Sequence, residues 1–295
     1  MRFVVTGAAG HVSRPLTELL LARGHKVTVV GRKPENITGL VKLGAKAAVG
    51  DIQDVTFLTK AFQGADGVYL MVPPSYQASN LKKISTEIAE GFSSAIKGSG
   101  VRNAVFLSSY GAHRLDDAGA ISGLGRAEVV LNKLDGVNVL HLRVGYFYAN
   151  LLMFIDLIKN AGVMGSMFAI PAGTFTLVDT DDIAHAAADA LGNLDFRGHS
   201  YKYIVSDESG TDEIASVIGK EIGKRDLKWV KFPAPDVKRA LLGFGFAEGA
   251  ANEYLEMFTR LETGLLFEDY MKVRPQLYPT KIEAFAKKFA AAYRA

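Results

Sequence analysis

Residues 6–13 read Thr6-Gly7-Ala8-Ala9-Gly10-His11-Val12-Ser13, and they join two segments of different periodicity. Ahead of them, Arg2–Thr6 is a short apolar run of strand type. Behind them, Ser13–Arg23 carries Leu16, Leu19, Leu20 and Leu21 in a helical pattern that stops at Gly24. A strand that turns into a helix through two nearby glycines opens a β-α-β unit. Gly7 and Gly10 let the backbone adopt positive φ and approach a phosphate closely. The helix start adds free N–H groups and a partial positive charge. The motif therefore predicts a dinucleotide site with Gly7, Ala9, Gly10, His11 and Val12 as its phosphate cradle. A plain tight turn is the bland alternative, and the strand–turn–helix context speaks against it.

The rest of the first half keeps the same rhythm. Lys26–Val30, Lys46–Val49, Gly67–Val72, Asn103–Leu107 and Val137–Leu142 read as strands, with helical stretches between them such as Leu81–Lys97. This alternation predicts an α/β fold: a Rossmann-like, doubly wound parallel sheet with helices on both faces. After about Tyr146 helical patterns dominate, at Asn150–Asn160, Asp182–Leu191, Thr211–Gly223, Pro235–Leu242 and Asn252–Leu261. The expected division is a cofactor domain over 1–148 and a smaller, mostly helical substrate lobe over 149–295. Asp182–Leu191 and Tyr201–Val205 are the segments that could return to the main sheet.

Composition removes several function classes. Lys and Arg total 34 against 31 Asp and Glu, a net charge of +3 that gives no electrostatic case for a nucleic-acid partner. The absence of Cys excludes disulfides, Cys-held zinc, iron–sulfur clusters and Cys nucleophiles, and suits a reducing cytosol. No signal-type leader and no run of the roughly 18 apolar residues needed for a membrane span are visible, so a cytoplasmic location is expected. Asp179, Asp181, Asp182 and His185 resemble a metal cluster but read better as a helix start, so no metal is expected. Ser109, His113 and Asp116 lack the Gly-x-Ser-x-Gly elbow of a hydrolase.

Ligands in such sheets bind at the carboxyl ends of the strands. The second strand ends in Gly31-Arg32-Lys33, two cations where an NAD site places an acid, which suits the 2′-phosphate of NADP(H). Asp51 and Ile52 follow the third strand; the Asp51 carboxylate either accepts from an adenine amino group or closes an Asx-turn. Val72 and Pro73 end the fourth strand on the path to a nicotinamide, and Ser108 and Ser109 end the fifth.

With these blocks in view, the chain resembles the NmrA-like group of atypical short-chain dehydrogenase/reductases. The likeness rests on residues 6–13, Val30-Gly31-Arg32-Lys33-Pro34, Gly50-Asp51, Leu107-Ser108-Ser109, residues 143–150 and Asp181-Asp182-Ile183-Ala184. It implies NADPH-dependent reduction of a small flat acceptor of quinone type, as in type 2 NADPH:quinone oxidoreductases. It implies equally a non-catalytic NADP(H)-binding sensor that signals to a regulatory protein partner. Two departures stand out. Ser13 occupies a position where many relatives carry a third glycine; its hydroxyl is a possible phosphate donor. The Tyr-x-x-x-Lys pair of short-chain dehydrogenases is missing, since none of the eleven Tyr has Lys four residues on. If Glu128 aligns with the Glu commonly following that Lys, the pair falls on Ala120 and Leu124. Tyr110, with Arg114 four residues on, is the nearest substitute acid. A quinone needs little acid help, because its product oxyanion is easily stabilised. The expected acceptor contacts are Tyr110, His113, Tyr146, Phe147 and Asn150, with Phe147 as core and Asn150 as a helix cap left open as alternatives.

Overall fold

The computed structural model describes residues 1–8 and 10–295. Ala9, one of the expected cradle residues, lies outside the described residues.

Arg2–Thr6 (β1), Lys26–Gly31 (β2), Lys46–Val49 (β3), Gly67–Leu70 (β4), Asn103–Ser109 (β5) and Asn138–Val144 (β6) alternate with helices Ser13–Ala22 (α1), Pro34–Lys42 (α2), Val55–Phe62 (α3), Leu81–Ser99 (α4) and Ala120–Leu131 (α5). Side chains alternate across the sheet. Phe3, Val5, Val29 and Tyr69 face one core with α1 and α2, whereas Val4, Val30, Val68 and Phe106 face another with α3, α4 and α5. That is a sheet covered by helices on both faces.

The second half begins with Tyr146–Phe147 (β7), a 3₁₀ turn over Tyr148–Phe154, Ile155–Ala161 (α6), Met164–Ser166 (β8) and Phe175–Val178 (β9). Thr180–Asn193 (α7) and His199–Ile204 (β10) follow, then Asp207–Ser209 (β11), Thr211–Glu221 (α8) and Trp229–Lys231 (β12). The chain ends in helices Ala234–Gly243 (α9), Glu248–Glu262 (α10), Glu268–Val273 (α11) and Ile282–Arg294 (α12).

The main sheet has seven strands in the order β10-β6-β5-β4-β1-β2-β3, all parallel. Strand β10 thus lies in this sheet although it comes from beyond residue 149, and α7 packs beside α1 on the same face. Two small sheets, β11-β9-β7 and β12-β8, complete the C-terminal lobe around a third, aromatic-rich core. The lobe is still mostly helical, but β7, β8, β9 and β11 have no counterpart in the sequence pattern: at two to four residues they are too short for a period to show. The apolar face of α12, formed by Ile282, Phe285 and Phe289, is buried in that core.

Parallel pairing throughout puts the carboxyl ends of all seven strands on one edge. The chain runs outward from β1 to β3, then returns to β4 on the other side of β1. That reversal opens a crevice between the ends of β1 and β4. Strand β4 stops at Leu70, two residues earlier than its apolar run suggests. The Met71 N–H is donated to the Thr6 hydroxyl at 3.1 Å, and Pro73 and Pro74 have no N–H for a ladder.

Candidate nucleotide-binding site and acceptor cavity

The glycine turn sits at the mouth of the crevice. Gly7 has φ +67°, and a Cβ there would fall 2.6 Å from Met71 Sδ, so only glycine fits. The Gly10 N–H closes the turn on the Gly7 carbonyl at 2.8 Å. Gly10 itself is not in the left-handed region; a Cβ there would meet the Gly7 carbonyl at 3.1 Å. The Thr6 hydroxyl donates to the Tyr69 carbonyl at 3.0 Å and accepts from Met71, which pins β1 to β4 behind the turn.

Helix α1 starts from this turn with no side-chain cap and no acidic residue in its first turn. The Arg14 N–H is donated to the Gly10 carbonyl at 3.1 Å and Pro15 has none, so an anion at this helix start would be met by the backbone of residues 11–13. His11 is exposed there. Val12 is 4% exposed, its side chain in the core, so it has only backbone to offer a ligand. The Ser13 hydroxyl corrects the expectation of a phosphate donor: it is buried and donates to the Thr6 carbonyl at 2.9 Å.

Along the same edge, Arg32 and Lys33 are both exposed, and neither side chain makes an ion pair or hydrogen bond among the described residues. The Asp51 carboxylate accepts from the Gln53 N–H at 3.0 Å, which is the Asx-turn reading, and its side chain remains exposed. Ile52 and Val72 are half-buried against the α3–α5 core. Pro73 is half-buried, and its carbonyl accepts from Ser75 Oγ at 3.3 Å. Ser109 is half-buried on the same sheet face as Leu107.

Ser108 is a correction. Its side chain points to the opposite face, 1% exposed, and its hydroxyl donates to Glu128 Oε1. A strand's period of two decides this, because adjacent serines cannot face the same ligand.

Glu128 belongs to a buried network absent from the sequence reading. Arg143 holds its two carboxylate oxygens at 3.1 and 2.7 Å through Nε and a terminal nitrogen. The other Arg143 nitrogen reaches Asp269 Oδ2 at 2.9 Å, and the Tyr203 hydroxyl donates to that oxygen at 2.7 Å. This ties β6, α5 and β10 to α11. Burial works against the Arg143 charge, but the Glu128 carboxylate holds its guanidinium firmly protonated.

The expected acceptor residues separate. Tyr110 and Tyr146 stay together at the sheet's carboxyl edge. The Tyr110 N–H donates to the Val144 carbonyl at 3.0 Å, two residues before Tyr146. Burial, reinforced by the adjacent Tyr146 hydroxyl, pushes the Tyr110 phenol well above its usual range. Arg114 does not help it, because its guanidinium is held by Asp117 and Glu268. Tyr110 is thus a poor substitute acid. His113 is half-buried with neither ring nitrogen partnered among the described residues, Nε2 standing 3.9 Å from Glu268, beyond hydrogen-bond reach. Burial lowers its pKa, Asp269 opposing. Phe147 turns to the α1–α7 core, the structural alternative left open for it. Asn150 is exposed within the 3₁₀ turn and caps no helix.

Tyr146 also lines a cavity of about 280 Å³ in the C-terminal lobe, with Phe154, Phe168, Phe232, Leu241 and Phe258. Beside it Tyr76, Phe246 and Tyr254 form an aromatic cluster, with ring centroids 4.5 to 6.1 Å apart, joined to Phe258 through Tyr254. These rings come from the loop after β4 and from α9–α10, and no local spacing brings them together in the sequence. Ala120 and Leu124 occupy the first two turns of α5, so neither carries a titratable group.

Comparison with known proteins decides the family: the NmrA-like family profile matches residues 1–287. The chain belongs to the NmrA-like family. Among curated relatives, this NmrA-like protein is similar to an NAD(P)H azoreductase of Xenophilus azovorans, 23% identical over 295 residues and 99% of each chain. Among solved structures it is similar to an NADPH-dependent quinone oxidoreductase of Escherichia coli complexed with NADPH. That likeness has a TM-score of 0.79 at 21% identity and covers 97% of this chain and 99% of the other. A triphenylmethane reductase of Citrobacter sp. complexed with NADP(H) matches at TM-score 0.77 and 18% identity, over 98% and 99% of the two chains. At these identities the structural likenesses speak for the shared Rossmann-type fold. No helix among the described residues of this NmrA-like protein is long and apolar enough to cross a membrane.

Proposed function

We propose that this NmrA-like protein is an NADPH-dependent reductase of small, flat, apolar acceptors, with quinones as the preferred class. The observation that carries the reading is the start of α1 behind the Gly7 turn, with no side-chain cap, and Arg32 and Lys33 at the end of the next strand without an ion pair or side-chain hydrogen bond, all among the described residues. Such an edge suits a pyrophosphate and a 2′-phosphate together. Relatives named as azoreductase, quinone oxidoreductase and triphenylmethane reductase support a reductase that acts on flat conjugated molecules.

In this reading the backbone of Gly7, Gly10, His11 and Val12 receives the pyrophosphate, Asp51 and Ile52 border the adenine, and Pro73 and Ser109 border the nicotinamide. Residues 1–148 supply most of the cofactor side and 149–295 most of the acceptor side, with α7 and β10 lending support to the sheet. NADPH, when bound, would supply a hydride, and the one further proton that turns a quinone into its hydroquinone would come from water. Tyr110 and Tyr146 orient the acceptor ring, and the surrounding aromatic side chains keep bulk water from it. With Glu128 aligned to the Glu that commonly follows the Lys of a Tyr-x-x-x-Lys pair, Ala120 and Leu124 take the places of that pair, and an unactivated ketone would lack a positioned acid.

The test is NADPH oxidation against quinones, azo dyes and aldehydes. Turnover of quinones at ordinary enzyme rates, about 1–10³ per second, with aldehydes inert, is expected. Tight NADPH binding without turnover of any acceptor would overturn the reading in favour of a sensor that signals to a protein partner.

A further inference from the structure

The cavity beside Tyr146 is larger than the reacting ring needs and has the wrong chemistry for polar recognition. Of the residues that line it, only Tyr146, Ser166 and Asp236 carry polar side-chain atoms. Asp236 is engaged by Arg239 at 3.2 Å. The wall is otherwise aromatic and aliphatic, contributed by β8, the 3₁₀ turn, α9 and α10. Tyr146 is part of this lining and stands at the carboxyl edge of the sheet, where the acceptor ring lies in the proposed function. Phe244 and Met153, 73% and 57% exposed, belong to the same lining. One lining residue, Tyr146, is thus shared with the proposed acceptor site, while Phe244 and Met153 bring the same apolar wall to the surface.

We infer that this cavity binds a non-reacting hydrocarbon substituent of the acceptor, so that the substrates are ring compounds bearing an alkyl or prenyl tail. The inference rests on the proposed reductase reading and adds the shape of its substrate. A cavity of about 280 Å³ has room for a tail of several carbons rather than for a single methyl group. Each methylene moved from water into such a wall strengthens binding about fourfold.

The molecule carries its own reporter. Trp229 is the only tryptophan. Its ring stands 5.2 Å from that of Phe154 and 5.5 Å from that of Phe168, two residues of the cavity wall. A tail in the cavity changes the packing of these rings, and with it the Trp229 emission, whether or not a reaction follows.

Two measurements on the full-length protein test the inference. In the first, Trp229 emission is titrated with straight-chain alcohols from four to twelve carbons. The expected Kd falls about fourfold per carbon and levels off within the series, once the chain fills the cavity. In the second, NADPH oxidation is followed with benzoquinone and with its alkyl-substituted series. KM falls with tail length to the same plateau while kcat stays level. Ala240→Phe, on the exposed side of α9, moves both plateaus to shorter tails, and Leu241→Ala moves them to longer ones. Benzoquinone turnover with a KM indifferent to tail length, and emission unmoved by the alcohols, overturns the inference and leaves the reductase reading standing. Chain-length-dependent emission without any quinone turnover overturns the reductase reading while confirming a hydrocarbon site. A dimer that Phe244→Ser dissociates, with emission indifferent to the alcohols, assigns the cavity to a second copy of the chain and overturns the inference.

Discussion

Arg143 on β6 grips both carboxylate oxygens of Glu128 on α5, at 2.7 and 3.1 Å, with the two side chains only 10% and 6% exposed. Removing one partner of such a pair leaves the other charge buried and uncompensated. Arg143→Met is expected to cost about 3–5 kcal/mol of stability, measured as a shift in the urea midpoint. The double change Arg143→Met with Glu128→Leu should recover much of that loss. Equal losses in single and double variants would show that packing, not charge, is what Arg143 contributes.

A second expectation concerns pH. His141 is 2% exposed, its Nε2 donating to Asn132 Oδ1 at 2.8 Å and its Nδ1 unpartnered. Burial pushes its pKa down to about 4, Glu128 opposing and Arg143 and His199 assisting. The unfolded chain titrates this group near the ordinary imidazole value of about 6.5. Between those values the unfolded state binds the extra proton, so stability is complete above about pH 6.5 and declines as pH falls toward 4. The contribution at stake is about 3 kcal/mol. Denaturant midpoints from pH 7 to 4 should fall for the parent and fall distinctly less for His141→Leu; parallel curves would contradict this.

Cofactor preference is the third. With Arg32 and Lys33 both unengaged among the described residues, one charge-assisted contact to a 2′-phosphate is worth about 1.5–3 kcal/mol, so NADPH should bind at least about tenfold more tightly than NADH. Alanine at both positions should remove most of that preference and leave NADH binding nearly unchanged. Isothermal titration with the two cofactors reads this directly, and equal affinities in the parent would end the argument. Gly10→Val, whose side chain would stand at the phosphate cradle, should abolish binding of both while the fold survives.

The fourth concerns Tyr110. Its phenol is buried and its pKa raised, and Arg114 is committed to Asp117 and Glu268. Tyr110→Phe is therefore expected to raise KM for the acceptor and leave kcat close to the parent value. A drop in kcat of about 10²–10⁴ with KM unchanged would make it the acid after all.

The sequence by itself determined the features that arise from local chemistry and short periods. Two glycines between a strand and a helix, the regular strand–helix alternation and the basic pair after β2 are legible because each depends on neighbours a few residues away. The tertiary structure alone decided which way each side chain of a strand end points, and so which of two adjacent serines is lost to Glu128. It alone brought Arg143 to Asp269, 126 residues distant, and gathered Tyr76, Tyr146, Phe168, Phe232 and Tyr254 around one end of the sheet. An aromatic residue written in a sequence shows that it seeks burial; which other rings it meets depends on how separate elements pack, and no spacing along the chain encodes that.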